Sequence, residues 1–164
     1  KKKDFLKQMF VTFVRPKIEY ASVIWNPWLK KDINLIEKVQ RYFTRRIQGI
    51  KGPYLERLKA LELEPLELRR LYADLREVFK ILRGISDVNW EDFFELGINR
   101  TRGHDKKLRN QLSHCDVRKN YFSNRIVNAW NSLSNDTIQA NSVQAFKRLL
   151  RTNTHLNNFL IGDY

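Results

Sequence analysis

Asp74, in Tyr72-Ala73-Asp74, is a carboxylate of the type that holds a catalytic metal ion. Two-metal phosphoryl transfer needs carboxylates for both ions, and the next residue is Leu75. The triplet also lies in a helical pattern, where Asp74 follows Arg70 by four and reads as an ordinary surface pair. His104, His114 and His155 are scattered without ligand spacing, so no metal and no other cofactor is expected. His114-Cys115 puts an imidazole next to a thiol in sequence, but neighbours need not face each other, and an inert thiol is the expectation. There is no Gly-rich phosphate loop. The chain is therefore not expected to be an enzyme by itself.

Binding chemistry is better represented. Lys38, Arg41 and Arg45 recur at three and four residues, with Arg46 at their border and Tyr42 among them. In a helix they make a basic ridge, compensated only by the nearby Glu37. Most basic helix faces are simply solvated; one that meets phosphates contacts them without reading sequence. The same reasoning extends, more weakly, to Arg102, Lys106, Lys107, Arg118, Lys119 and Arg125. Tyr42 and Tyr121 fall off the apolar stripes and can stack on bases, whereas Trp25 and Trp130 are expected in the core.

Charge supports a polyanionic partner. The 164 residues carry 31 Lys and Arg against 18 Asp and Glu, for a formal charge of +13. Residues 1–50 hold +8, residues 51–100 hold −1 and residues 101–164 hold +6. A basic, neutral, basic layout serves a polyanion better than it serves solubility, although a ribosomal or membrane-surface protein would show a similar excess. One cysteine excludes an intrachain disulfide and any multi-cysteine zinc site. No apolar run approaches the ~18–20 residues that span a bilayer, so no membrane partner is expected.

An apolar fraction of 42% with 10 Phe and 6 Tyr is ample for a core. The aliphatic residues recur at helical spacing, which predicts an all-α or mostly α fold, an irregular multi-helix bundle with room for one short β-hairpin around residues 98–116. Residues 4–14 read as a helix, and Pro16 breaks it and opens another. Asp32 caps a helix reaching Ile50, with Leu35, Ile36, Val39, Phe43, Ile47 and Ile50 as its buried stripe. Tyr54–Leu61 makes a short helix, and Pro65 starts a long one ending near Gly84. Helices are also expected over Lys119–Leu133 and after Ser142, followed by a loosely held Asn-rich tail, Thr152–Tyr164. The domain reading is 1–84 helical, 85–118 a basic irregular connector and 119–164 helical, all packing as one domain.

Several blocks carry a family resemblance: Phe13-Val14-Arg15-Pro16, Glu19-Tyr20-Ala21-Ser22, Trp25-Asn26-Pro27 and Leu35-Ile36-Glu37-Lys38-Val39-Gln40-Arg41. Further on come Arg118-Lys119, Phe122-Ser123-Asn124-Arg125-Ile126-Val127 and Trp130-Asn131-Ser132-Leu133. In this order they resemble the region downstream of the catalytic palm in non-LTR, LINE-type retrotransposon reverse transcriptases, with the jockey-like enzymes nearest. The resemblance implies a thumb over residues 1–84, which grips template and primer, and a C-terminal helical extension. It implies an RNA-directed DNA polymerase whose palm lies upstream, outside this chain. Its partners would be RNA template and DNA as an RNA–DNA hybrid, held with sequence tolerance, and the upstream polymerase domain of the same polyprotein. The implied setting is intracellular: cytoplasmic with the element's RNA and nuclear at the site of action. The family's Tyr-Ala-Asp-Asp metal site is not reproduced at Tyr72-Ala73-Asp74-Leu75. Ser134 stands where proline commonly follows the Trp130 block, and no cysteine-rich zinc knuckle is present. With no initiator Met and no signal peptide visible, a fragment of a longer protein is the simplest reading. The rival reading is a helical protein–protein interaction scaffold, such as a domesticated remnant of such an element.

Overall fold

The computed structural model describes residues 2–97 and 104–164. The chain is mostly helical, as its periodicity predicts. Its contacts divide it into two units, Lys1–Arg70 with Leu160–Tyr164 and Leu71–Phe159. That boundary falls within a helix, away from the divisions at 84 and 118 that the sequence suggests.

In the first unit, α1 (Lys2–Met9) runs into a π-helical turn, Phe10–Val14, and then α2 (Arg15–Glu19). Pro16 sits in the first turn of α2, and just before it the Arg15 N–H bonds back to the Phe10 carbonyl. Widening to five-residue spacing lets the backbone absorb a residue that has no N–H to donate. The chain therefore continues where the proline predicts a break. Ala21, at φ 50°, ends α2 in the left-handed region and leads to α3 (Ser22–Trp25).

Helix α4 (Lys30–Arg46) starts two residues before Asp32, which lies in its first turn and is not the cap. Its buried side is Ile33, Glu37, Gln40 and Thr44, with Ile47 just beyond the helix end. This corrects the expected stripe: Leu35 is 61% exposed and Val39 39% exposed. The cause is a polar network. Glu37 accepts from the Tyr54 hydroxyl and from the Leu66 N–H at 3.1–3.2 Å, while Gln40 donates to Tyr54 and to the Glu64 carbonyl, both at 3.0 Å. Glu37 thereby satisfies the first N–H of the next long helix, a donor with no partner inside that helix. Once a fully buried carboxylate and amide have all these partners, the helix faces them inward, and part of its aliphatic row turns outward. Tyr54 opens α5 (Tyr54–Ala60) and joins Ile47, Leu58, Leu61 and Leu63 in the apolar core, with Phe10 stacked on Phe43 at 4.3 Å.

The long helix α6 (Leu66–Leu82) ends at Gly84, which takes φ 64° in the left-handed turn. The tail corrects another expectation. Leu156 is fully buried in a 3-10 turn, Thr154–Phe159. In the first unit, Glu67 accepts from the N–H groups of Ile161 and Gly162 at 3.0 and 3.1 Å and from the Tyr164 hydroxyl. Asn34 donates to Asp163 at 2.8 Å and Lys30 pairs with it at 2.6 Å. The Asn-rich composition suggests loose tethering; the partners that fix the tail lie some 95–130 residues away in sequence.

The second unit packs aromatic rings. Phe79 stacks on Phe146 at 4.3 Å, Trp130 lies 6.1 Å from Phe146, and Phe94 meets Phe122 edge-on at 5.7 Å. The helix expected over Lys119–Leu133 is broken into α7 (Asp116–Lys119), α8 (Phe122–Arg125) and α9 (Val127–Asn131), followed by α10 (Asn135–Ile138). Asparagines explain part of this. Asn131 donates to the Leu108 carbonyl at 2.8 Å and accepts from the Leu108 N–H at 2.9 Å, as a neighbouring strand would. Asn124 accepts from the Gln111 N–H and donates to the Arg118 carbonyl. These side chains bond to the backbone of the connector, which among the described residues also pairs with itself in an antiparallel bridge, Leu96 to Leu108. That bridge is what the described residues show of the hairpin expected around 98–116; residues 98–103 lie outside them. Ser142 caps α11 (Val143–Thr152) as its sequence predicts, accepting from the Ala145 N–H at 3.1 Å. Among the described residues no helix is long and apolar enough to cross a membrane.

Candidate nucleic-acid interface

Seventeen residues of α4 make nearly five turns, enough to separate a buried side from a solvent side. Because the buried side is the Glu37–Gln40–Thr44 line, the solvent side carries Leu35, Lys38, Val39, Tyr42, Arg45 and Arg46. The acids of α4 are Asp32, half-buried at its start, and Glu37, buried on the far side. Among the described residues, neither Lys38 nor Arg45 takes part in a salt bridge. Arg46 donates to the Tyr42 hydroxyl at 2.6 Å, and its guanidinium lies 4.6 Å from the centre of that ring. A cation over an aromatic face is attracted by the ring's negative charge density, so the pair holds a fixed pose.

Arg41 departs from the ridge. It is half-buried, and its guanidinium lies 4.8 Å from the Tyr54 ring, over the polar network beneath α4. Burial raises the Glu37 carboxyl above its usual range, against the hydrogen bonds from Tyr54 and Leu66 that act the other way. Burial first, and then the Glu37 charge, push the Tyr54 phenol up. Below them Arg70 is fully buried and donates to Asn26 at 2.8 Å, and burial lowers its affinity for a proton. It is not the surface partner of Asp74 that the four-residue spacing suggests.

Among the concavities of the described residues, two border α4 in this unit. One, of about 370 Å³, is lined by Lys17, Ile18, Trp25, Leu35, Ile36 and Val39. The other, of about 260 Å³, is lined by Lys2, Lys3, Leu6, Arg46, Ile47 and Gln48. Trp25 is 41% exposed, contrary to the expectation of a core residue, because its indole N–H is tied to the Tyr20 carbonyl at 2.5 Å at the surface. Sequence reasoning does not single out Lys17, Lys2 or Lys3. Lys2 and Lys3 sit in a visible basic run, but Lys17 reaches the groove only through the fold of α2.

The second unit uses its basic residues unevenly. Arg118 and Lys119 are exposed on α7, Arg118 reaching Gln111 at 3.0 Å with its guanidinium 5.9 Å from the Tyr121 ring. Lys106 and Lys107 are half-buried along the connector, where the Lys106 carbonyl accepts from the Trp130 indole at 2.8 Å. Arg125 is engaged internally: it forks onto Asp74 at 3.0 and 3.1 Å, and the Asp74 side chain is 2% exposed. This overturns the surface reading of Asp74 and removes Arg125 from the open basic face. Arg102 lies outside the described residues. His104 is buried with one ring nitrogen 3.2 Å from the Trp130 carbonyl, and burial lowers its pKa. His114 and Cys115 are exposed. Among the described residues no cluster of three His, Cys, Asp or Glu stands close enough to hold a metal ion. Comparison with protein-family models, with curated proteins and with solved structures finds no match to this chain.

Proposed function

We propose that this chain is a non-catalytic, nucleic-acid-gripping module, corresponding to the thumb and C-terminal helical region of a non-LTR retrotransposon reverse transcriptase. The observation that carries the reading is the solvent side of α4, where Lys38, Arg45 and the Arg46–Tyr42 pair stand with no carboxylate among them. Cations without internal partners are open to phosphates, and a helix face of this kind grips any sequence. The sequence blocks that include α4 supply the family. On this reading the module holds RNA template and DNA product beside a palm supplied by the upstream polymerase domain, which performs the chemistry.

Binding to an RNA–DNA hybrid across a salt series tests it, with unrelated sequences compared. Affinity should fall linearly in the log–log plot whatever the sequence. The Lys38→Glu, Arg45→Glu variant should bind more weakly, its slope shallower by roughly 0.9 for each phosphate that is no longer neutralised. Absent binding at low salt by folded protein overturns the proposal. It would favour the second reading, a helical protein-interaction scaffold, which draws on Phe5, Met9 and Phe13, exposed at four-residue spacing along the first helical run.

A further inference from the structure

The groove beside α4 has a composition that binding to phosphate alone does not require. Its walls are Ile18, Leu35, Ile36, Val39 and the Trp25 indole, and Lys17 is the one charged residue lining it. Trp25 is anchored at its edge through the bond to the Tyr20 carbonyl. One turn beyond Val39 stands Tyr42, 61% exposed, with Arg46 laid over its ring and bonded to its hydroxyl. The exposed line Leu35, Val39, Tyr42 therefore forms an apolar and aromatic rail along the helix. Lys38 and Arg45 form a cationic rail beside it, seven residues and so ~10 Å apart along the axis.

A duplex turns its phosphates outward and keeps its base faces stacked on one another, so it can use only the cationic rail. An unpaired strand presents phosphates and bare base faces together, and a flat ring offered beside cations matches both. An acidic peptide would match the charge, but it gains little from an exposed tyrosine ring backed on one face by an arginine.

We propose that this face takes single-stranded nucleic acid by its bases. One unpaired nucleobase enters the Trp25-lined groove and a neighbour stacks on Tyr42, while Lys38, Arg45 and Lys17 hold the phosphates. This rests on the nucleic-acid reading above and adds the unpaired strand to the hybrid as a form of ligand. Of the groove's side chains only the Lys17 amine is left to hydrogen-bond, the Trp25 indole N–H being taken by the Tyr20 carbonyl, so the site does not read base identity.

The test uses the 164-residue chain and three fluorescein-labelled probes at fixed salt: an oligonucleotide of fifteen thymidines, the same backbone with every base removed, and a blunt DNA duplex. The thymidine strand should bind about 10-fold more tightly than the abasic strand, as expected for one or two stacked bases. It should also bind more tightly than the duplex. Tyr42→Ala and Leu35→Gln, both at exposed positions, should close most of the gap between the thymidine and abasic strands without changing the thermal melt. Equal binding of the thymidine and abasic strands, or a duplex bound as tightly as the single strand, would overturn the base site and leave a phosphate-only grip. Binding to none of the three, nor to the RNA–DNA hybrid, would overturn the nucleic-acid reading itself. Capture of an acidic amphipathic peptide in that last case would assign the groove to a protein partner.

Discussion

Arg46 and Arg125 are the same side chain, one in each unit, and each reads from the sequence as part of a basic surface. Arg46 lies in the last turn of α4, exposed and bonded to the Tyr42 hydroxyl. Arg125 forks onto Asp74, 51 residues earlier in the chain, with both groups largely out of water. The difference is a carboxylate within reach. Once an acid is buried, leaving it unpaired is costly, and a planar guanidinium that can make two parallel bonds is its best partner. A cation is left for an external ligand only where the fold brings it no such acid. Counting basic residues therefore overstates an interface, and the internal ion pairs show by how much.

The largest effect expected from this contrast is on stability. Arg125→Ala leaves Asp74 as a buried charge without its forked partner and should cost about 3–5 kcal/mol, read from denaturant unfolding. Nucleic-acid affinity of the molecules that remain folded should not change, because Arg125 is engaged inside the unit. A variant that kept its stability and lost affinity would break the comparison.

Glu37 gives the next effect, on the first unit. Glu37→Ala removes the acceptor of both Tyr54 and Leu66 and should cost about 3 kcal/mol, since each buried donor left without a partner costs ~1–3 kcal/mol. Its pH dependence sharpens the point. Burial holds the folded Glu37 pKa above the ordinary 4.5, so between those two values the folded state binds more protons than the unfolded chain. Stability gained from this group is fully present below pH 4.5 and lost as pH rises through the folded value. The stability of the native chain relative to Glu37→Gln, which cannot titrate, should therefore increase on acidification from pH 7 toward 4.5. A flat difference would mean that burial and the hydrogen bonds to Glu37 cancel, and one that moves the other way that the bonds from Tyr54 and Leu66 outweigh burial.

The smallest stability effect belongs to the residues with the largest proposed role. Lys38→Glu, Arg45→Glu should shift unfolding by no more than about 0.5 kcal/mol while weakening nucleic-acid binding. A large loss of stability there would show that these side chains are engaged in the fold after all.

How much of the molecule is legible in its sequence follows from the kind of information each feature needs. The helical class, the capping role of Ser142 and the short helix Tyr54–Ala60 rest on residues within a few positions of one another, which the sequence displays directly. The orientation of α4 does not. Leu35, Ile36, Val39 and Phe43 form the more apolar row, and counting hydrophobic residues turns them inward. Glu37 and Gln40 are drawn inward by Tyr54, Glu64 and Leu66, 14 to 29 residues away, and no local pattern announces that. The candidate site is legible to the same degree. Lys38, Tyr42, Arg45 and Arg46 need only helical spacing, whereas Arg41, Arg125, Lys17 and Trp25 are sorted by neighbours that spacing cannot show.

By itself, then, the sequence determined the helical class, the starts of the helices at Tyr54, Leu66 and Val143 and the excess of positive charge, because propensity, capping and composition act between near neighbours. Tertiary structure alone decided which face of α4 is buried, which arginines remain open, that the tail is clasped by Glu67, Asn34 and Lys30, and that an apolar groove runs beside the basic residues. Those outcomes depend on satisfying buried polar groups with partners far away in the chain. Only the folded arrangement brings those partners together.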